Sequence, residues 1–549
     1  LIRIRMLWLR LTAWPRLEEW SRAPGRTQRR LLRSILKRNA TTEFGHQHGF
    51  REIRTYDDYR ARVPVQTYES LRPLIERQDR EQVAAVTSKH PVLYAQTSGT
   101  TGAPKYIPVL EQSIAQHRLC QNLSAFVQFK AGHDAYDGRL LAIVSPAVEG
   151  HLSTGTPYGS TSGHLYQNMP KVMQAKYVVP PEVFTIDNYD LKYLLILRLA
   201  IVERNITYMG TANPSTILRL ITMLEEHRLD LLHDVETGGF SHASKLSPDV
   251  FDAIEHRLAC SRTRREELRA ILGSEYPAIR DLWPFLKLLT TWTGGSCGIA
   301  LDSVRASLSP TTRIAELGYL SSEFFGTIIV DAQSNSGLPT LGHNFFEFVA
   351  KSSWENDDHD FLLLDQLEDD AEYYVFVTTQ TGLYRYLMND IIRTAGRFHA
   401  TPLIQFVQKG KGVTSITGEK LYESQVIEAV KAAENAAGVS APFFILVADT
   451  EPPGYRLLIE PAGQLDGAQF SELIDHHLSE INLEYAQKRS SGRLHPVVVI
   501  VLAPGAAEAY KSECLSRGQR EGQFKVQVLQ LATDLSFDYE TYAQEDPRE

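Results

Sequence analysis

Two periodicities alternate along this chain. Residues 27–39 (TQRRLLRSILKRN) repeat apolar positions at helical spacing, and 56–60 and 68–76 read as shorter helices of the same kind. A short apolar run at 91–95 reads as a strand, 111–130 as a helix, 140–144 as a buried strand, 189–203 as a helix and 206–209 as a strand. Residues 214–226 are again helical, with Asn213 as the cap and Pro214 in the first turn. A further apolar strand spans 286–292. Strands and helices alternating at these lengths predict parallel βαβ units with helices on the sheet faces, so the expected core is α/β.

From 345 to 377 the pattern changes to short apolar strands (FFEFV, YYVFVTT) between acidic turns, which predicts an antiparallel, barrel-like subdomain. After a strand at 403–408, Lys409-Gly410-Lys411-Gly412 is short, charged and flexible, and reads as a hinge. Helices at 421–437 and 468–484 with strands at 443–448, 455–459 and 497–502 then predict a compact α+β unit. The expected organisation is a large N-terminal domain over 1–408, a hinge at 409–412 and a mobile C-terminal domain over 413–549.

One stretch interrupts both periodicities. Residues 97–105, TSGTTGAPK, follow the apolar run and precede the helix at 111–130. Gly99 and Gly102 let the backbone approach an anion, Ser98, Thr100 and Thr101 supply hydroxyl donors, and Lys105 supplies a mobile positive charge. A Walker A loop would need Gly and Lys adjacent with Ser or Thr next, whereas Ala103 and Pro104 separate Gly102 from Lys105. Thr97 to Lys105 is therefore a candidate phosphate loop of another kind.

Charge and composition narrow the partners. The net charge of −9 and pI near 6.1 argue against nucleic acid, since phosphate backbones need a basic surplus, and favour a small ligand. Cys120, Cys260, Cys297 and Cys514 lie far apart without a C-x-x-C pair, so neither zinc nor a disulfide framework is expected and a reducing cytoplasm is the simplest home. Arg3, Arg5 and Arg10 interrupt what would be a signal-peptide core, and no apolar run of about 18 residues suggests a membrane span. The basic first thirty residues read as a helix packed on the main body, ahead of a membrane-surface anchor.

Later segments add candidate chemistry. The apolar strand at 286–292 runs into Gly294-Gly295-Ser296-Cys297-Gly298, and a glycine turn at the carboxyl edge of an α/β sheet is where ligands bind. Cys297 has no neighbouring base and reads as a small turn residue. Tyr319, Ser322 and Glu323 gather polar groups between apolar strand ends at Ile314 and Ile328. The segment GLYRYLMNDIIRTAGR brings Arg385, Asn389, Asp390 and Arg393 close in sequence, either as a site or as an ordinary ion pair. Residues 148–163, with His151 and His164 nearby, either line a pocket or form a solvent loop. Lys525, in GQFKVQVL, is by default a snorkelling surface residue.

Taken in order, these segments resemble a known family. TSGTTGAPK is similar to the phosphate loop of the adenylate-forming superfamily. The runs LLRSILKRN, TEFGHQHGF, YDDYRARVPVQTYESLRPLIER, YLSSEFFG, GLYRYLMND and GQFKV resemble the auxin-responsive acyl-acid amido synthetases over nearly the whole chain. The resemblance implies an ATP-dependent ligase that makes an acyl-adenylate from a small carboxylic acid, releases pyrophosphate and transfers the acyl group to an amine, expected to be an amino acid. A thiol acceptor, or a nucleotide-binding scaffold without turnover, are the alternatives. By resemblance, Thr97, Ser98, Gly99, Thr100, Thr101 and Lys105 would hold phosphate, with Gly295 and Ser296 beside the nucleotide. Tyr319 and Ser322 would border the adenine or α-phosphate, Glu323 would help bind Mg2+, and Asp390 would accept from the ribose hydroxyls. Lys420 and Lys525 would serve different steps as catalytic residues. Where the family has glycine before the aspartate, this chain has Asn389, and that departure is what raised the scaffold.

Overall fold

The structure is a computed structural model that describes residues 2–97, 104–295, 297–356, 358–410, 412–414, 416–417, 419–490, 492–517, 519 and 524–544. Of the positions singled out above, Ser98, Gly99, Thr100, Thr101, Gly102, Ala103, Ser296, Lys411 and Gly522 lie outside the described residues. The chain divides into two compact units. The first takes in residues 1–293, 307–388 and 392–405, and the second 294–306, 389–391 and 406–549.

In the first unit, strands β1 (Leu93–Thr97), β2 (Lys105–Val109), β4 (Gly150–His151) and β5 (Pro157–Gly159) form a sheet ordered β2-β1-β5-β4. A second sheet is wholly parallel and ordered β3-β6-β7-β8, from β3 (Arg139–Ala142), β6 (Ile206–Gly210), β7 (Leu288–Thr291) and β8 (Arg313–Glu316). It confirms the expected α/β core. Residues 193–201 of the helix Tyr189–Ile201 are all buried, which is why that stretch reads as apolar all round rather than striped. The helix runs Ser215–Glu226 with Pro214 at the N-cap, one residue later than the sequence predicts, and the Asn213 side chain accepts from Ser215 N at 2.9 Å from just outside it.

The pair β9 (Thr327–Ile328) and β10 (Leu338–Pro339) leads to an antiparallel sheet ordered β11-β12-β13-β14. Its strands are Phe345–Ala350 (β11), Glu372–Thr378 (β12), Tyr386–Phe398 (β13) and Thr401–Lys409 (β14). β11 is buried on nearly every residue, Glu347 in the middle of its apolar run included.

The second unit holds the short pair β15 (Val413–Thr414) and β16 (Leu421–Tyr422) and a mixed sheet ordered β19-β18-β17-β20. The strands of that sheet are Phe443–Thr450 (β17), Pro453–Glu460 (β18), Val498–Val501 (β19) and Leu529–Leu531 (β20). Alternation along β17 sends Phe444 and Leu446 into a core with Val426, Val430, Ile474 and Leu478 of the two long helices. Phe443, Ile445 and Val447 point the other way, toward Tyr510 and Phe524. Both faces of this strand are covered, so it reads as an unbroken apolar run.

Candidate active site

β1 and β2 are antiparallel neighbours, with Thr97 opposite Lys105, so the candidate phosphate loop is held at its base by a register pair. The sequence pattern suggests strand, loop and helix, and a second strand intervenes. Pro108 hides it, because proline removes a ladder donor, but β2 is an edge strand and tolerates the loss. Tyr68, in the helix Tyr68–Arg80, fixes the hairpin beside its loop end, at Tyr106. Its hydroxyl accepts from Tyr106 N at 2.7 Å and donates to Tyr106 O at 3.3 Å, and Lys105 Nζ lies 5.6 Å from its ring centre. Burial pushes the Tyr68 phenol up to about 12, so it stays neutral.

Beyond β2 the chain enters the helix Glu111–Ala131, whose Ser113, Gln116, His117 and Cys120 share one face and form a wall of a cleft. Pro108 and Val109 of β2 continue that wall, while Ser322, Glu323, Phe324 and Phe325 stand in the cleft with them. Its empty volume is about 510 Å3, the open mouth included. The structure thus brings two of the predicted residues, Ser322 and Glu323, beside the strand that carries Lys105. Tyr319 is buried behind them, its ring 5.2 Å from Phe324. Thr161 also lines the cleft, so one end of the 148–163 segment reaches it, whereas His151 is exposed.

Burial strips charge from the two imidazoles that line the cleft, His117 and His343. Burial pushes His117 down to about 4, with its ring edge-on to Phe325 at 4.8 Å. Burial and then Arg16 push His343 down to about 4 as well. Burial raises the Cys120 thiol, so it too is neutral. Among the described residues no three His, Cys, Asp or Glu side chains cluster as metal ligands, and Glu323 is the one carboxylate lining the cleft. A single carboxylate suits a Mg2+ ion whose other oxygens come from phosphates and water.

At the carboxyl end of the parallel sheet, sequence reading missed Glu316. Its carboxylate accepts from Thr293 N at 2.8 Å, Thr293 Oγ1 at 2.5 Å and Gly318 N at 2.8 Å, tying together the loops after β7 and β8. In the second unit Gly295 has φ +59°, and a Cβ there would meet the Phe406 ring at 3.3 Å, so glycine is required twice over. Cys297 opens the helix Cys297–Ser307 and is buried, in keeping with a small packing residue.

Arg385, Asn389, Asp390 and Arg393 do not form one cluster. Arg385 bonds the fully buried Glu347 at 2.9 and 3.2 Å, and Arg393 pairs with Glu372 at 2.7 Å. Asp390, 1% exposed, pairs with Lys409 Nζ at 2.5 Å. Asn389 has φ +53°, the left-handed region that glycine and asparagine share.

Lys420 has an exposed side chain on a tightly held backbone. Its N–H donates to Glu484 at 3.0 Å and its carbonyl accepts from Asn482 at 2.8 Å. The buried Glu419 beside it accepts from Ile416 N, Thr417 N, Thr417 Oγ1 and Tyr455 Oη at 2.7–2.9 Å. Lys525 is half-buried, its ammonium 4.7 Å from the Phe406 ring centre. Glu423 faces both Lys525 and Lys409; burial raises its carboxyl to about 7 against the pull of these two lysines. Gly412 packs against it: a Cβ there would come within 2.8 Å of the Glu423 carboxylate, which would have to shift. In sequence Glu423 looks like an ordinary acidic first-turn residue of the helix Glu423–Ala437, so nothing marked it. The stripe Ser113, Gln116, His117 and Cys120 was missed as well, although its i, i+3, i+4, i+7 spacing is a signal that could have found it.

Family models match three stretches in order: the GH3 family N-terminal domain over 13–312, the GH3 family central domain over 338–409 and the GH3 family C-terminal domain over 424–533. The chain is 26% identical over 560 residues to the probable indole-3-acetic acid-amido synthetase GH3.2 of Oryza sativa subsp. japonica, covering 93% of this chain and 89% of that one. It is 25% identical over 551 residues to the indole-3-acetic acid-amido synthetase GH3.4 of Arabidopsis thaliana, covering 93% and 90%. Among solved structures, AtGH3.15 acyl acid amido synthetase in complex with 2,4-DB matches at a TM-score of 0.87 and 22% identity, over 97% of this chain and 96% of that one. A 2-hydroxyisobutyryl-CoA ligase in the postadenylation state matches at 0.51 and 13%, over 91% and 88%. These structural likenesses speak for the fold.

Proposed function

The chain belongs to the GH3 family, and on that premise we propose that it is an ATP-dependent acyl acid amido synthetase. It activates a small carboxylic acid and conjugates it to an amino acid. The observation that carries this reading is the alignment, over 93% of the chain, with relatives named for joining indole-3-acetic acid in amide linkage. A carboxylate is a poor electrophile at neutral pH. One carboxylate oxygen therefore attacks the α-phosphorus of ATP, the bond to the β-phosphate oxygen breaks and pyrophosphate leaves. The amine nitrogen then attacks the acyl carbon, AMP departs and the amine gives up a proton.

We assign the loop from Thr97 to Lys105, with Ser98, Gly99, Thr100 and Thr101, to the phosphates of ATP, and Gly295 and Ser296 to the nucleotide beside them. Tyr319 and Ser322 would border the adenine or α-phosphate. Glu323 would hold Mg2+, which when bound offsets phosphate charge. The Asp390 carboxylate, beside the Lys409 ammonium, would accept from the ribose hydroxyls. The acid would occupy the cleft between the helix Glu111–Ala131 and Phe324–Phe325, where neutral imidazoles and two aromatic rings stand among uncharged polar side chains such as Gln116, Asn344, Thr379 and Gln380, a wall that suits an uncharged tail. Residues 409–412 would act as the hinge between 1–408 and 413–549, with Lys420 and Lys525 serving different half-reactions. Four free cysteines and an acidic composition favour a cytoplasmic setting, and no helix among the described residues is long and apolar enough to cross a membrane.

ATP–pyrophosphate exchange over a panel of carboxylic acids tests the first step, and mass spectrometry of products with mixed amino acids or coenzyme A tests the second. Exchange with at least one acid and an amide product is expected. Exchange followed by a thioester product would move the assignment to a thiol acceptor, and no exchange with any acid would leave a nucleotide-binding scaffold. Lys525→Ala should slow one half-reaction by about a hundredfold, the loss of one charge contact to a reacting phosphate. Equal loss in both half-reactions, or none, would count against the division of labour.

A further inference from the structure

The helix Ile2–Arg22 is covered on one side only. Met6, Leu9 and Leu17 are buried, and Trp14 packs 5.4 Å from Phe126, with Lys130 above its ring. The other side presents Ile4 at 71%, Leu7 at 54%, Trp8 at 46% and Leu11 at 68% exposure, the most concentrated large apolar exposure among the described residues. Single exposed apolar residues are ordinary, but four in one stripe are not.

Their arrangement has a direction. At about 100° per residue, Ile4, Leu7, Trp8 and Leu11 share one sector, Arg3 and Arg10 border it on one flank, and Arg5 and Arg16 on the other. All four arginines are exposed; Arg5 lies 4.4 Å over the Trp8 ring and Arg16 4.6 Å over Trp20, while Arg3 makes a solvent-exposed ion pair with Asp137 at 3.5 Å that a headgroup phosphate can replace. Residues 2–17 carry four arginines and no Asp or Glu, so this stretch is positive in a chain of net charge −9. An apolar stripe between two rows of arginine fits a bilayer surface: the stripe enters the acyl boundary while the guanidinium groups remain at headgroup phosphates.

We propose that this face of the first helix docks the protein on membranes carrying anionic lipid, as a peripheral contact that leaves the helix packed on its own body. Charge complementarity selects this occupant over a neutral apolar partner, because each arginine near an anionic surface adds favourable energy while the acidic remainder of the chain is repelled. The inference does not depend on the amido synthetase reading.

The test is sedimentation of the full chain with vesicles of phosphatidylcholine alone and with about 30% phosphatidylserine, the charge that supplies the surface potential. Association with the phosphatidylserine vesicles only is expected, weakening as salt shortens the screening length. A Leu7→Glu/Leu11→Glu variant should bind at least about tenfold more weakly, since its stripe no longer partitions. Both leucines are exposed, so its thermal unfolding should match the parent chain. Absence of vesicle binding by the parent chain, equal binding to neutral vesicles, or undiminished binding by the variant would each overturn the proposal. So would self-association of the parent chain, without vesicle binding, that the same variant disperses, because the stripe would then be a contact between two copies.

Discussion

At the scale of single residues, Asn389 shows how a departure from a family pattern can conserve geometry. Glycine before the aspartate serves a backbone at positive φ, and asparagine is the side chain that tolerates that region best. Here φ is +53°, and the Asn389 carbonyl accepts from Gly410 N at 2.8 Å, next to the Asp390–Lys409 pair. Asn389→Gly should therefore leave unfolding free energy within about 0.5 kcal/mol of the parent, whereas Asn389→Val should cost about 1–2 kcal/mol through the crowded left-handed conformation. Urea denaturation of the two variants measures the difference, and a fully tolerated valine would sink the argument. The substitution thus gives no reason to infer lost turnover. The scaffold alternative arose because sequence alone shows the residue type and not the φ it must adopt.

At the scale of elements, most of the secondary structure was legible and the failures have physical causes. The helices at 27–39, 111–130 and 214–226 and the strands at 443–448, 455–459 and 497–502 followed from periodicity, whereas the short strands β15, β16 and β20 did not. β2 was missed because Pro108 looks like a breaker unless one knows that the strand lies at a sheet edge. The polar residues of GLYRYLMND were grouped by nearness along the chain, but in β13 residues three apart face opposite ways. Asp390 is consequently buried and Arg393 exposed. Arg385, at φ +44°, instead enters a buried network. Its guanidinium meets the Glu347 carboxylate of β11 and the Val63 carbonyl, while Tyr56 Oη donates to Glu347 at 2.9 Å. Burial raises the Glu347 carboxyl, with Arg385 opposing the rise. Glu347→Gln keeps the shape and removes the charge, leaving the arginine buried without its counterion. The expected cost is about 3–5 kcal/mol in urea unfolding. A loss below about 1 kcal/mol would mean the pair is only surface-like in its energetics.

At the scale of the whole molecule, composition and charge pointed to an acidic protein handling a small ligand and periodicity to an α/β core, while the electrostatics of the cleft depended on which side chains the fold buries. Mild acidification reduces the net charge of −9 and should by itself relieve self-repulsion. The two cleft imidazoles act the other way. Each is held near 4 in the folded chain against an ordinary 6.5, so between these values the unfolded chain binds protons that the native chain does not. Stability from this source is complete above about 6.5 and is lost as pH falls toward 4, by about 2 kcal/mol per histidine at pH 5. Glu423, raised by burial to about 7, has the opposite sign: its contribution is present below its ordinary 4.5 and disappears as pH rises through 7. Opposed terms make the shape of a single stability curve uninformative, so the measurement must be a difference. Thermal unfolding of the parent chain and of His117→Gln/His343→Gln, each at pH 7 and pH 5, isolates the imidazoles whatever the variant's absolute stability. The parent chain should lose more stability than the variant on going to pH 5, by several kcal/mol in total. Parallel losses in the two proteins would show that the imidazoles protonate as readily in the cleft as in water, and the uncharged wall assigned to the acid's tail would go with them.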